Sequence, residues 1–202
     1  MSNASQIHLS KLLSLILRHR PEDFHIAIDQ YGFANIEDIL RILQERLPWV
    51  TRDDINDVVY HSEKQRFEII GEKVRARYGH SFPVQIDMPP IVPPEFLYQA
   101  VVSETVEKIL QHGLSPQDRQ YVHLSLSSQI ADELGQRIGF DYVILRILAQ
   151  QAASEGNVRF FEAGPVILTE FVPPEFIETV KQSNPSPFQG TYGRKLKRRK
   201  QR

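Results

Sequence analysis

Cysteine is absent from the 202 residues, so there is no disulfide framework, no thiolate nucleophile and no cysteine-based zinc site. Long apolar runs are missing as well: near the start, Leu12 to Leu17 spans six residues and is interrupted by Ser14. A membrane helix needs about 20 apolar residues, and a secretory signal about 7–15 behind a basic start. The expectation is therefore a soluble, cytoplasmic chain with no membrane partner. Neither G-x-x-x-x-G-K-S/T nor a G-x-G-x-x-G following a strand occurs, which removes the common phosphate-cradling loops. No H-E-x-x-H or other tight cluster of histidine and carboxylate is present, and no metal is expected.

What remains is ordinary globular material, 41% hydrophobic and 24% charged, which excludes a mainly disordered or fibrous chain. The net charge of −1 conceals an asymmetry: residues 91–180 carry −7 and residues 181–202 carry +8. The last stretch, Gly193-Arg194-Lys195-Leu196-Lys197-Arg198-Arg199-Lys200-Gln201-Arg202, follows Pro185-Ser186-Pro187 and lacks apolar periodicity. It reads as a disordered tail, drawn to a polyanion such as nucleic acid or serving only solubility.

Five of the twelve residues from Pro83 to Pro94 are proline, a density that forbids a helix and favours a semi-rigid connection. The chain accordingly divides into a first lobe, 1–82, a linker, 83–94, a second lobe, 95–180, and the basic tail, 181–202. In the first lobe, Leu9, Leu12, Leu13, Ile16 and Leu17 share a helical face that Pro21 terminates. Asn35 caps a second helix through Ile36, Ile39, Leu40, Leu43 and Leu47, and Thr51 with Asp54 caps a third through Ile55, Val58 and Val59. Arg66 to Tyr78 reads as a hairpin turning at Gly71-Glu72, so the order is that of a winged helix. The second lobe mixes strands at 96–102, 121–126, 142–148 and 166–169 with helices at 104–111 and 127–138. Ile130, Leu134 and Ile138 lie in line on the last helix. The fold class is α+β.

Arginine and histidine supply the chemical candidates. Arg18-His19-Arg20 ends the first helix, Arg66 and Arg75-Ala76-Arg77 lie on the hairpin with Gly79-His80-Ser81 beyond it, and Arg119 precedes Tyr121-Val122-His123-Leu124-Ser125. A guanidinium donates two parallel hydrogen bonds to phosphate and keeps its charge, so a phosphate-rich ligand is one reading. The competing reading is bland. Each arginine alone can be a solvated or ion-paired group, Arg18 and His19 suit a helix C-terminus, and His123 suits a packing position on an alternating strand.

Taken in order, these segments resemble the RNA 2′-phosphotransferase family, the tRNA 2′-phosphotransferases. The resemblance runs from about Leu9 to about Ile177. It rests on Leu9-Ser10-Lys11-Leu12-Leu13-Ser14-Leu15-Ile16-Leu17-Arg18-His19, Asp29-Gln30-Tyr31-Gly32-Phe33, Lys64-Gln65-Arg66-Phe67-Glu68, Arg75-Ala76 and Gly79-His80-Ser81. Further matches are Phe96-Leu97-Tyr98, Gly113-Leu114, Arg119 with Tyr121 to Ser125, Val166-Ile167-Leu168-Thr169 and Val172-Pro173-Pro174.

The resemblance implies a winged-helix RNA-binding lobe followed by an ADP-ribosyltransferase-like lobe, with the active site between them. It implies NAD⁺ consumed as co-substrate and an RNA bearing a 2′-phosphate, with tRNA splicing as the expected setting. The 2′-phosphate would attack the nicotinamide ribose to give an ADP-ribosylated phosphate. Transesterification would then release 2′-hydroxyl RNA and ADP-ribose 1″,2″-cyclic phosphate. The family's catalytic set carries over as Arg18, His19, Arg66 and Arg119. Cofactor contacts are expected at Tyr98, Gln99, Ala100, Gly113, His123 and Ser125, and substrate contacts at Arg75, His80 and Ser81.

The departures concern the cofactor. After Phe96-Leu97-Tyr98 the family carries His-Gly-Thr and this chain Gln99-Ala100-Val101; Tyr78 stands where the family has glutamine. An impaired member that only binds phosphorylated RNA, or an ADP-ribosylase of nucleic-acid ends, is the alternative. A winged-helix DNA-binding regulator fits less well, because the third helix carries Asp53, Asp54 and Asp57 and no Lys or Arg from 53 to 60.

Overall fold

A computed structural model describes residues 2–182 apart from 63, 64, 86 and 140. The basic segment from 183 onward lies outside the described residues.

The chain begins with a helix, α1 (Asn3–Arg18), whose N-cap Ser2 accepts from the Ser5 backbone N–H. Leu9, Leu12, Leu13, Ile16 and Leu17 recur at the helical period and are all buried. A short strand, β1 (Phe33–Asn35), leads directly into α2 (Ile36–Arg46), and Asn35 caps that helix by accepting from the Glu37 N–H. The third helix, α3 (Arg52–Tyr60), opens with the full capping box of Thr51 and Asp54, worth about 1 kcal/mol. The expected hairpin is present as β2 (Phe67–Ile70) and β3 (Lys73–Ala76), turning through Gly71 at φ 59°. β1, which sequence pattern missed, adds antiparallel to β3 and gives the order β1-β3-β2. Residues from Leu9 to Ala76 close over one hydrophobic core.

A second core runs from Leu97 to Ile177, with Phe160 fully buried in it. Its first sheet pairs β4 (Phe96–Val102), β6 (Tyr142–Leu148) and β9 (Ile177–Gln182) in the order β4-β6-β9. The other pairs β5 (Val122–Leu124), β7 (Phe161–Ala163) and β8 (Val166–Thr169) in the order β5-β8-β7. Both are antiparallel, and a backbone bridge between Tyr98 and Ser125 joins them. Three helices complete this part: α4 (Val106–His112), α5 (Ser128–Ile138) and α6 (Ala149–Glu155). The class is α+β, as expected, while α6, β7 and β9 were not read from the sequence.

The apolar line on α5 faces outward. The in-line residues Ile130, Leu134 and Ile138 of α5 are 41%, 41% and 50% exposed, and the helix buries Ala131 and Gly135 instead. A Cβ at Gly135 would stand 2.4 Å from the Tyr142 ring, so the small face is the one able to approach the sheet closely.

Candidate active site

Four side chains from three separate stretches of the chain gather where the first core meets the second. Arg18 and His19 terminate α1. Arg66 immediately precedes β2, and Arg119 lies in the loop before β5. The backbone of Arg66 anchors the group: its carbonyl accepts from the Arg77 N–H at 2.9 Å and from Arg18 Nη2 at 3.3 Å. The Arg18 carbonyl in turn accepts from both the N–H (2.9 Å) and the hydroxyl (3.1 Å) of Ser81, tying the 79–81 segment to the end of α1.

Gly79 is the point of closest approach. It holds φ 87°, and a Cβ there would lie 2.6 Å from Arg119 Nη1 and 3.4 Å from Arg18 Nη1. Two guanidinium groups therefore face one another across a residue that must lack a side chain. Arg119 is brought there by its neighbour. The Gln120 amide binds both backbone groups of Val84, accepting at 2.7 Å and donating at 2.6 Å, while the Gln120 N–H reaches the His80 carbonyl at 3.2 Å. Sequence reasoning missed Gln120, because its partners are 36 and 40 residues away and belong to the backbone.

Among the described residues no carboxylate is paired with this charge. Ion pairs among the described residues fall elsewhere, on Arg20, Arg41, Arg52, His61, Lys73, Arg75, Arg146 and Arg159, and none joins a carboxylate to Arg18, Arg66 or Arg119. Arg18 is 7% exposed, and burial lowers its pKa to about 10, with Arg66 and Arg119 pushing the same way. It still carries its charge at pH 7. The partial offset is aromatic: the guanidinium carbon lies 4.6 Å from the Tyr78 ring centroid and 5.5 Å from that of Phe67. The same Tyr78 ring stands edge-on to His123 at 6.1 Å.

His19 contacts Ser81 Oγ through Nδ1 at 3.3 Å. The Ser81 hydroxyl spends its only proton on the Arg18 carbonyl, so it can only accept from His19. Nδ1 therefore carries the proton, and Nε2 is left to meet a ligand. Partial burial, then Arg119, Arg18 and Arg20, lower the pKa of His19 below its ordinary value, and the imidazole is neutral at pH 7 until an anion arrives.

Other expected residues divide. Ser125 is buried and exchanges backbone hydrogen bonds with Tyr98 at 2.7 and 2.9 Å. His123 Nε2, Gln99 Oε1 and Arg18 Nε are buried without a hydrogen-bond partner, an unusual state for polar atoms unless a ligand completes them. That donor and acceptor set fits a dinucleotide bearing phosphates and ribose hydroxyls. Ala100 packs on the Ala131–Tyr142–Ile144 cluster, and Val101 is in the second core, so of the three departing residues Gln99 alone offers a free polar atom. Gly113 has a packing reason of its own, since a Cβ would meet the Phe171 ring at 2.3 Å and the Val172 carbonyl at 2.6 Å.

Arg75 does not join the group. Its guanidinium binds Glu68 at 2.6 Å, Asp87 at 3.0 Å and the Tyr31 carbonyl at 3.1 Å, and stacks 4.3 Å from the Phe33 centroid. The expected substrate contact is thus committed to two carboxylates. His80 is buried against Gly32 and edge-on to Phe82, with Nε2 unpartnered and its pKa lowered to about 4 by burial.

A family model described as RNA 2′-phosphotransferase, Tpt1 / KptA family, matches residues 4–171. A Pyrococcus furiosus protein named "Probable RNA 2′-phosphotransferase" is 39% identical over 173 residues, covering 85% of this chain and 94% of its own. A Thermococcus kodakarensis protein of the same name is 39% identical over 170 residues (84% and 94%), and a Hahella chejuensis one 36% over 176 (86% and 94%).

Proposed function

This chain belongs to the RNA 2′-phosphotransferase, Tpt1 / KptA family, and we propose that it removes a 2′-phosphate from RNA by an NAD⁺-dependent transfer. In this reading residues 1–82 form a winged-helix RNA-binding lobe and 95–180 an ADP-ribosyltransferase-like lobe. The reading rests on one observation: Arg18 and Arg119 meet at Gly79, His19 and Arg66 lie close enough to feel their charge, and among the described residues no carboxylate is ion-paired with any of the four.

Three guanidinium groups and an imidazole in a partly desolvated cleft match a phosphate dianion. Arg18 and Arg66 orient it, and His19 donates or accepts through Nε2. Because the dianion is already nucleophilic, no carboxylate base is required. When bound, NAD⁺ would supply an electrophilic ribose carbon with nicotinamide as leaving group, and its ADP-ribose part would be the acceptor of the phosphate. Arg119, the most exposed of the three arginines of the clamp, stabilises negative charge as the RNA 2′-oxygen departs. His123, Gln99 and the Tyr98–Ser125 bridge would hold the dinucleotide. Tyr78 walls off Arg18 and keeps its field strong by excluding water.

A second reading, phosphorylated-RNA binding without turnover, is favoured by Gln99 and Ala100 standing where the family has histidine and glycine. One experiment decides. An RNA carrying a single internal 2′-phosphate is incubated with the protein, with and without NAD⁺. Loss of the phosphate only with NAD⁺, matched by released nicotinamide, supports the transferase; tight binding with no loss supports the second reading.

A further inference from the structure

The phosphate cluster is one end of a longer groove. Its first wall is the solvent side of α1, where Asn3, Ile7, Lys11 and Ser14 recur at intervals of three or four beside Gln6 and Ser10, and it ends at the buried Arg18. This is the face opposite the buried Leu9–Leu12–Leu13–Ile16–Leu17 stripe. The far wall is built from Asp57 and Val58 near the end of α3, His61 and Ser62 just beyond it, and Arg66. Fifteen helical rises separate Asn3 from Arg18, about 22 Å, or about six nucleotides at a stacked spacing of about 3.4 Å.

We infer that this groove is the seat of an unpaired RNA strand leading away from the reacting 2′-phosphate, a reading that rests on the RNA transferase assignment. The chemistry of the walls suits a sugar–phosphate backbone. Lys11 is exposed midway along α1, Ser10 and Ser14 present hydroxyls, and Gln6 and Asn3 present amides. Ser14 uses its own proton on the Ser10 carbonyl at 2.8 Å, which leaves its oxygen as an acceptor for a ribose hydroxyl. Among the described residues the cations of the lining are Lys11, Arg18 and Arg66 against the one carboxylate of Asp57, which lies 3.4 Å from His61 Nδ1. Ile7, 50% exposed, and the half-buried Leu15 offer apolar surface to base faces. A single strand can turn its bases toward them while its backbone tracks the hydroxyls, whereas a duplex keeps its bases stacked inside.

The test uses the full chain and fluorescein-labelled oligoribonucleotides with one 2′-phosphate, extended by none, three or six unpaired nucleotides on either side. Anisotropy without NAD⁺ reads binding; nicotinamide release with NAD⁺ reads turnover. Extension on one side should tighten Kd about tenfold or more, and Lys11→Glu or Gln6→Glu should erase that gain. Lys11→Ala should also lower the salt slope for the extended strand by about 0.7. Affinity independent of length overturns the inference, as does a variant that weakens short and long strands by one factor. Turnover without length dependence overturns the groove alone. Length-dependent binding without NAD⁺-dependent turnover keeps the groove and overturns the transferase reading.

Discussion

Gly79→Ala is the substitution that moves one catalytic candidate, Arg119, away from Arg18 while deleting neither. Two penalties arise from the geometry, and they fall on different measurements. The backbone holds φ 87°, where an L side chain costs about 1–2 kcal/mol. For a chain of this size that is a fall of about 2–8 °C in Tm. The new Cβ also lies 2.6 Å from Arg119 Nη1 and must reach about 3.4 Å, the lower end of ordinary contact, a displacement of about 0.8 Å. An exposed arginine tip yields at little cost in stability, so this second penalty appears in the chemistry. A misplacement of about 1 Å can cost about 10²-fold in rate, and kcat should fall by about 30–100-fold. Gly71→Ala is the matched control. Its φ is 59° with nothing within 4 Å, so it carries the backbone penalty without touching either arginine. Both variants are assayed by nicotinamide release at saturating RNA and NAD⁺, with Tm measured in parallel. Equal kcat in the two variants, at similar loss of Tm, would refute the claim that Gly79 exists to let Arg18 and Arg119 converge.

Other expectations come from the same geometry. Arg18→Ala should lower kcat by about 10²–10³, and Arg18→Lys should recover little, because lysine lacks the planar fork stacked on Tyr78; steady-state kinetics on both variants checks this. Arg75→Ala should instead cost stability, since it strands Glu68 and Asp87, and urea unfolding should register about 3 kcal/mol while kcat of the folded fraction changes little. His80 and His123 both have pKa values lowered to about 4, so the unfolded chain binds more protons than the folded one between about 4 and the ordinary 6.5. Their contribution is full above 6.5 and is lost as pH falls. Between pH 6.5 and 5 the urea midpoint should drop by the equivalent of about 3 kcal/mol, and a flat midpoint over that window would contradict the burial of these rings. Restoring His, Gly and Thr at 99, 100 and 101 should lower KM for NAD⁺ several-fold, at about 1 kcal/mol of stability for the hydroxyl placed in the core at Val101.

Local signals were legible where local chemistry decides the structure. Asn35, the Thr51–Asp54 capping box, the Gly71 turn and the Ser127–Gly139 bounds of α5 could all be read directly. Periodicity places the line of Ile130, Leu134 and Ile138 on α5 but does not say which face is buried; close packing on Tyr142 selects the small face with Ala131 and Gly135. The arginines show the limit most clearly. On the hairpin, Arg66 and Arg75 look equivalent in sequence, and only tertiary structure separates them. Glu68 and Asp87 neutralise Arg75, while Arg66 is left beside Arg18 with its carbonyl organising the cluster. The resemblance to a known family supplied the set of four; composition and spacing did not. Gln120 and the groove along α1 carried no sequence signal, because each depends on what lies opposite in space.

The most direct measurement tracks the phosphorus atom. An RNA with a ³²P-labelled 2′-phosphate is incubated with the protein and NAD⁺, and the products are separated. The label should pass stoichiometrically from RNA to an ADP-ribose conjugate, one nicotinamide appearing per phosphate moved. Label released as inorganic phosphate, or retained on the RNA by a folded and RNA-bound protein, would contradict transfer at the cluster of Arg18, His19, Arg66 and Arg119.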